Sequence, residues 1–462
     1  MNETNGMAIG RDLALLLPQL LVLLTAVAAL AAEMLRRPRA ALALVVAGLL
    51  AAAGLAATRL GPPTTVFLGT YRVDALSTWA VVILAPATAL TALLALPEVA
   101  GTDRAGTVYS LLAFAALGAL VLAGAGDLLF LVLGVLLTSL GSFALVAYPR
   151  DDRATEAAVK YFVFGSVTGA AMTFGLTYWF GATGSTLLAD LGRLAGVPLA
   201  GLAGLAAVLV GLGYKAALAP FHFWAPDAYD GAPVAVAAFL SVVPKVGALF
   251  ALAQVARDLP DALTGWRVVV ALLAAGSMTY GYLAALPQDN VVRLLAYSSI
   301  AQAGYFLLGI VALGRSALAI QALVVFAAAY AAMNLGAFAV VARIGRDLAA
   351  YGGAGRAAPW AGAALVVFLL SLVGVPPLAG FAGKLLLFGA ALDAGFAWLA
   401  VAAILNSVLS LAVYLRLIVP LYRPARGVAA ASRPAAVVWA VALALTVGLG
   451  LAVQVLLRGV AP

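Results

Sequence analysis

Four lysines stand among twenty-two arginines in this chain, and the two kinds of cation are segregated. Nearly every arginine lies between apolar runs or at the end of one, whereas Lys215, Lys245 and Lys384 lie inside them. Lys245 is about thirteen residues into its run, roughly 20 Å along a helix at 1.5 Å per residue, farther than a side chain can stretch to reach an interface. Lys160 begins a run and reads as an interfacial anchor. A charged group at mid-bilayer costs at least about 2.5–3.5 kcal/mol, so an amine kept there needs a use. Arginine holds its proton under almost any condition, while a buried lysine can release and recapture one. Three such amines read as stations of a proton relay. The competing reading is three buried ion pairs that hold helices together. It requires carboxylates at mid-helix, and the eighteen acidic residues supply none: Glu33, Asp127, Glu156 and Asp393 fall near the ends of runs and the others in loops or tails.

His222 is the one histidine, in the aromatic stretch Phe221, Phe223, Trp224. It can be a buried, hydrogen-bonded side chain or, with an ordinary pKa near 6.5, a proton exchanger between lysines. Asp227 and Asp230, flanking Tyr229, read as loop acids that are solvated or paired with loop arginines. Ser298, Ser299, Gln302, Tyr305 and Asn334 interrupt otherwise apolar helices, where they either bond neighbouring helices or hold water between the lysines.

The elements that must position these groups are membrane helices. Of 462 residues, 65% are hydrophobic and 10% charged, with a mean hydropathy of +1.13; soluble domains carry about 25% charged residues. With no cysteine and one histidine, the chain offers no disulfide framework, no thiolate metal site and little for a haem or a multi-histidine centre. No redox centre, bound cofactor or metal is expected in its side chains. The net charge of +8 suggests nucleic acid only if the arginines form a soluble basic patch. Instead they alternate between loops. The connections holding Arg36, Arg104, Arg150, Arg293, Arg346 and Arg416, with Arg423, Arg426 and their other companions, carry fourteen arginines; the opposite set, including Arg72, Arg193 and Arg257, carries eight. The positive-inside rule places the first set in the cytoplasm and both termini outside.

Fourteen apolar segments are expected, at 13–34, 40–57, 74–96, 107–125, 127–148, 157–181, 198–225, 232–256, 266–286, 291–312, 316–342, 360–391, 396–419 and 434–457. The fold class is therefore all-α and integral to the membrane, a single domain over 1–462. Barrel strands of about ten alternating residues do not fit these runs. Two segments look broken. The seventh runs through Lys215 to Pro220, with Pro226 beyond it, and the twelfth contains GVPPLAGFAGK with Pro376, Pro377 and three glycines. Proline removes a donor and clashes with the preceding turn, and interrupted helices at matching places in two halves point to a transport site.

Five stretches carry a family resemblance: EAAVKYFVFGSVTGAAMTFGLTYWFGATGS, YKAALAPFHFWAPDAYDGAPVAVAAFLSVVPK, RLLAYSSIAQAGYFLLG, MNLGAFAVV and LSLVGVPPLAGFAGKLLLF. In order and spacing they resemble subunit N of proton-pumping NADH-quinone oxidoreductase, respiratory complex I, within the antiporter-like subunits shared with cation/proton antiporters and membrane-bound hydrogenases. The resemblance implies helices 1–3 over 1–100, one five-helix repeat over 107–256, a second, inverted repeat over 266–419, and a last helix over 434–457. It implies that segments seven and twelve are discontinuous and that Lys215, Lys245 and Lys384 are the relay. NADH, flavin, iron–sulfur clusters and quinone would belong to partner subunits of the peripheral and membrane arms, in a bacterial inner membrane.

One departure stands out. The family has a glutamate in segment five, within a stretch like LGLELLSLPLY, paired with the lysine of segment seven. Here the stretch is LGVLLTSLGSF, with Leu136 at that place. A carboxylate of a neighbouring subunit fills the role, or coupling differs, or this half is silent. The alternatives for the whole chain are a subunit of a sodium/proton antiporter or hydrogenase, or a non-pumping scaffold.

Overall fold

The computed structural model describes residues 2–263, 265–424 and 432–460; Arg426, counted above in the larger arginine set, lies outside them. The order is α1 (Asn2–Leu15), α2 (Leu17–Met34), α3 (Pro38–Ala57), a hairpin of β1 (Thr64–Val66) and β2 (Tyr71–Val73), α4 (Ala75–Val99), α5 (Ala105–Ala123), α6 (Leu128–Val146), α7 (Asp152–Thr183), α8 (Pro198–Ala216) and α9 (Trp224–Gly231). There follow α10 (Val234–Asp258), α11 (Trp266–Ala285), α12 (Val291–Val311), α13 (Ala319–Ile344), α14 (Ala354–Ala357), α15 (Pro359–Val373), α16 (Ala379–Asp393), α17 (Ala397–Leu421), α18 (Arg433–Leu451) and α19 (Val453–Val460). Among the described residues thirteen helices are long and apolar enough to cross a membrane. The pair α15 and α16, fifteen residues each, forms the fourteenth segment.

The sequence did not signal the fourteen-residue helix α1 before the first span, the β1–β2 hairpin, or the 3-10 stretch Leu188–Gly196. Apolar periodicity marks what lipid and core demand, and these pieces lie where neither sets the pattern.

Helix starts follow side-chain chemistry. Asp74 and Ser77 close a capping box on α4; Asp127, Asp151 and Asn290 cap α6, α7 and α12, each satisfying N–H groups with no intrahelical partner. Asp127 is thereby accounted for as a cap, accepting from Leu129 N at 2.6 Å.

Both suspected breaks are present. Helix α8 ends in a left-handed residue, Ala217 at φ 56, and the chain runs through a cis Ala219–Pro220 bond to α9. Helix α15 ends at Gly374, φ 99, and a cis Pro376–Pro377 bond leads to α16. The left-handed turn at Gly374 suits a residue without a Cβ.

Helices α10, α12 and α13 are buried along almost their whole length, whereas α7 and α18 present most of their surface outward. The innermost helix, α10, is tied to α4 at both ends. At its start, where Pro233 cannot cap, the Glu98 carboxylate of α4 accepts from Val234 N at 2.9 Å and Ala235 N at 3.0 Å. At its end, Gln254 and Arg257 donate to Asp74, the cap of α4.

Candidate functional site

Each of the three mid-membrane lysines is almost fully buried: Lys215 is 1% exposed, Lys245 0% and Lys384 2%. Among the described residues none of their ammonium groups has a carboxylate within 4 Å, while Lys160 pairs with Glu156 and Asp227. The ion-pair reading therefore finds no carboxylate partner among the described residues. The amines rest instead on neutral oxygens, two of which, on Lys384, are carbonyls freed where α15 ends.

Lys215 sits in the last turn of α8, where the carbonyl end of the helix dipole favours a cation. Its Nζ donates to Ser139 Oγ of α6 at 2.9 Å and Tyr161 OH of α7 at 3.1 Å. It also lies 5.3 Å from the Tyr161 ring centre, close enough for cation–π attraction. Lys384 uses the other break more directly. Its Nζ donates to Leu372 O at 2.9 Å and Val373 O at 3.0 Å, the carbonyls that end α15 and have no intrahelical donor. It lies 4.0 Å from the Tyr305 ring centre and 3.3 Å from Ser407 Oγ.

Lys245 occupies the middle of α10, just after Pro244. It donates to Ser299 O at 2.7 Å and Ser299 Oγ at 2.9 Å. One turn earlier, Ser241 receives Tyr330 OH on its carbonyl at 2.8 Å, and the Asn334 side-chain amide donates to its Oγ.

Between the amines run aromatic and hydroxyl groups. Trp224 stacks on Tyr161 at 4.2 Å and meets Tyr229 edge-on at 6.2 Å, and Tyr229 OH lies 3.3 Å from Ser299 Oγ. Lys215 thus reaches Lys245 through Tyr161, Trp224, Tyr229 and Ser299. On a second face of α12, Ser298 Oγ lies 2.6 Å from Tyr414 OH, and Gln302 donates to Tyr282 OH and to Leu372 O, both at 3.0 Å. Leu372 O is also an acceptor of Lys384, and Tyr305 OH lies 2.8 Å from Ser407 Oγ. Residues 298, 302 and 305 share one face of α12, and Ser299 stands about 100° round the helix from Ser298, on the flank that meets Lys245. This one helix therefore stands between the Lys245 and Lys384 surroundings.

All five polar residues singled out in α12 and α13 join this network. His222 does not: it is buried against Tyr280, with ring centres 4.4 Å apart, and Phe223. Among the described residues it makes no hydrogen bond to any of the three lysines. Leu136 is 53% exposed, on the outer face of α6 one turn from Ser139, the partner of Lys215. Ser139, Tyr161, Tyr282, Ser407 and Tyr414 escaped notice in the sequence. A lone hydroxyl in an apolar helix gives no sign of whether it bonds its own helix, as Thr88 does to Leu84 O, or reaches another.

Two side-chain acceptors of this network, Gln302 Oε1 and Asn334 Oδ1, are buried with no protein partner. Such atoms are costly unless something donates to them.

A discontinuous-helix membrane bundle with lysines at its breaks defines an ion-translocating class, and similarity to known proteins agrees. The transmembrane family of NADH:quinone oxidoreductases and Mrp antiporters matches residues 125–410. The chain is 43% identical to NADH-quinone oxidoreductase subunit N 1 of Streptomyces griseus, over 96% of this chain and 95% of that protein. It is 40% identical to subunit N of Desulfovibrio desulfuricans, over 87% and 86%. A chain of respiratory complex I from Thermus thermophilus with bound aureothin superposes with a TM-score of 0.83 at 34% identity, covering 96% of this chain and 98% of that one. A chain of the archaeal membrane-bound sulfane sulfur reductase shares the fold, with a TM-score of 0.86 at 24% identity. The chain belongs to the antiporter-like membrane subunits, in the subunit N line.

Proposed function

We propose that the chain is a proton-translocating membrane-arm subunit of a complex I-like NADH-quinone oxidoreductase in a bacterial inner membrane, and that Lys215, Lys245 and Lys384 carry the protons. The observation that supports this most is the burial of all three amines on neutral oxygens with no carboxylate of the described residues in ion-pair range. A cation so placed has no fixed counter-charge to lock it, and at Lys384 the carbonyls freed at the end of α15 supply acceptors while it is charged. Water donating to Gln302 and Asn334 would add hydrogen-bonded links beside Lys384 and Lys245. Electron transfer takes place in partner subunits, which carry the NADH, flavin, iron–sulfur and quinone sites. The left-handed caps at Ala217 and Gly374, each next to a lysine-bearing break, support two inverted repeats over 107–256 and 266–419. Arg153, Arg293 and Arg346 gather at the end of the bundle that the positive-inside rule makes cytoplasmic, so both termini face outward.

The test is Lys384→Ala in the assembled complex. Protons taken up per electron by inverted vesicles should fall, by roughly a factor of ten for each 1.4 kcal/mol added to the barrier, while quinone reduction persists. Unaltered pumping removes the relay.

A second reading, a non-pumping scaffold, draws on Leu136, where the family's glutamate is absent. Leu136→Glu places a carboxylate one helical turn from Ser139 and within reach of the Lys215 surroundings. It is expected to raise the proton-to-electron ratio or change its response to pH. No change, together with silent lysine variants, favours the scaffold.

A further inference from the structure

The acids after the first break do more than face solvent. Asp227 accepts from Lys160 Nζ of α7 at 2.9 Å and from Arg293 Nη1 of α12 at 2.7 Å. Glu156 is the second partner of Lys160 at 2.7 Å, and Asp230 pairs with Arg153 and Arg346. Asn290, the cap of α12, also donates to Asp230 at 2.6 Å.

Each cation of the Asp227 pair lies near a contact of the lysine chain. Lys160 adjoins Tyr161, which bonds Lys215. Arg293 lies two turns before Ser299, which bonds Lys245 and faces Tyr229. Asp227 itself stands three residues after Trp224, the ring stacked on Tyr161, and two before Tyr229. One carboxylate thus ties together the three helices whose side chains connect the first two amines.

We propose that Asp227 is a positioning residue for proton transfer: with Lys160 and Arg293 it clamps α9 between α7 and α12, so that Tyr161 stays on Lys215 and Tyr229 stays on Ser299. The clamp rests on the lysine relay described above. In this chain, whose fifth segment lacks the glutamate, it supplies an ion-pair network beside Lys215 without touching the amine. Asp227, flanked by two cations within 3 Å, is a fixed anion and not a further station. A 180 Å³ cleft lined by Arg153, Glu156, Lys160, Asp227 and Arg293 opens onto it, so ions of the aqueous phase reach the clamp.

Asp227→Asn, Lys160→Met and the double variant, made in the whole complex, test this in inverted vesicles with quinone reduction measured in parallel. Asp227→Asn is expected to lower protons per electron about fivefold with electron transfer retained, and Asp227→Glu to restore most of the loss. Lys160→Met, on a half-exposed side chain, should give a smaller drop, and the double variant little more than Asp227→Asn alone, because both remove one coupled unit. Should Asp227→Asn prevent assembly, Lys160→Met decides by the same ratio. Normal pumping in the Asp227 variant, or losses that multiply in the double variant, overturns the clamp. Lys215→Ala separates the two ideas: if it pumps normally the relay itself fails, and if it loses pumping while Asp227→Asn does not, only the clamp is wrong.

Discussion

Lys245→Ala is expected to cut proton translocation by an order of magnitude or more, about 1.4 kcal/mol of barrier per factor of ten, with the complex assembled and NADH still oxidised. The amine is fully buried halfway along α10 and bonds only Ser299. Its removal leaves a stretch between Tyr229 and Tyr414 with hydroxyls that conduct but no group that stores a charge. The informative companion is Lys245→Arg. An amine that merely braces α10 against α12 would be replaced well by guanidinium, which donates to the same carbonyl. A station that has to discharge would not, because guanidinium keeps its proton. Loss of pumping in both variants therefore marks proton transfer, and a competent Arg variant marks bracing.

The second large effect concerns backbone. Gly380→Ala is expected to destabilise the subunit by roughly 1–3 kcal/mol and to lower the amount of assembled complex. A Cβ at Gly380 would meet the Ser371 carbonyl, and the Gly380 N–H donates to Ser371 Oγ at 3.0 Å. This is where α16 crosses the end of α15, and nothing there can yield without moving one of the two pieces. Lys384 lies one turn further on, so surviving molecules should also pump poorly. Gly448→Ala on α18, where a Cβ meets nothing within 4 Å, is the matched control and should be silent. Thermal inactivation of the purified complex, with the proton-to-electron ratio, measures both.

The membrane segments, both breaks and the burial of the three lysines were legible in the sequence because each violates or obeys a strong rule. Long apolar runs must be helices in lipid, clustered proline and glycine mark where two of them break although Pro86, Pro97 and Pro244 sit inside unbroken helices, and a mid-run amine stands out against twenty-two loop-seeking arginines. The partners were not legible. Ser139, Tyr161 and Ser407 lie 76, 54 and 23 positions from the lysines they bond, Lys215 and Lys384, and only packing of separate segments brings them together. The acids show the same limit. Asp227 was expected to be solvated or paired with a loop arginine; it pairs with Arg293 and with Lys160, and its place between three helices depends on α9 folding back, which local sequence does not specify. Glu98 gave no hint of capping α10, since that contact joins residues 136 positions apart.

The bond of α4 to both tips of α10 has a mechanical consequence. A rod tethered at each end must break those bonds before it slides, which favours a middle amine at constant height in the lipid. If the chain moves protons as proposed, alternation of access then falls more easily to small parts, such as a rotating hydroxyl or threads of solvent on either side of a stationary post, than to a rocking of the whole bundle.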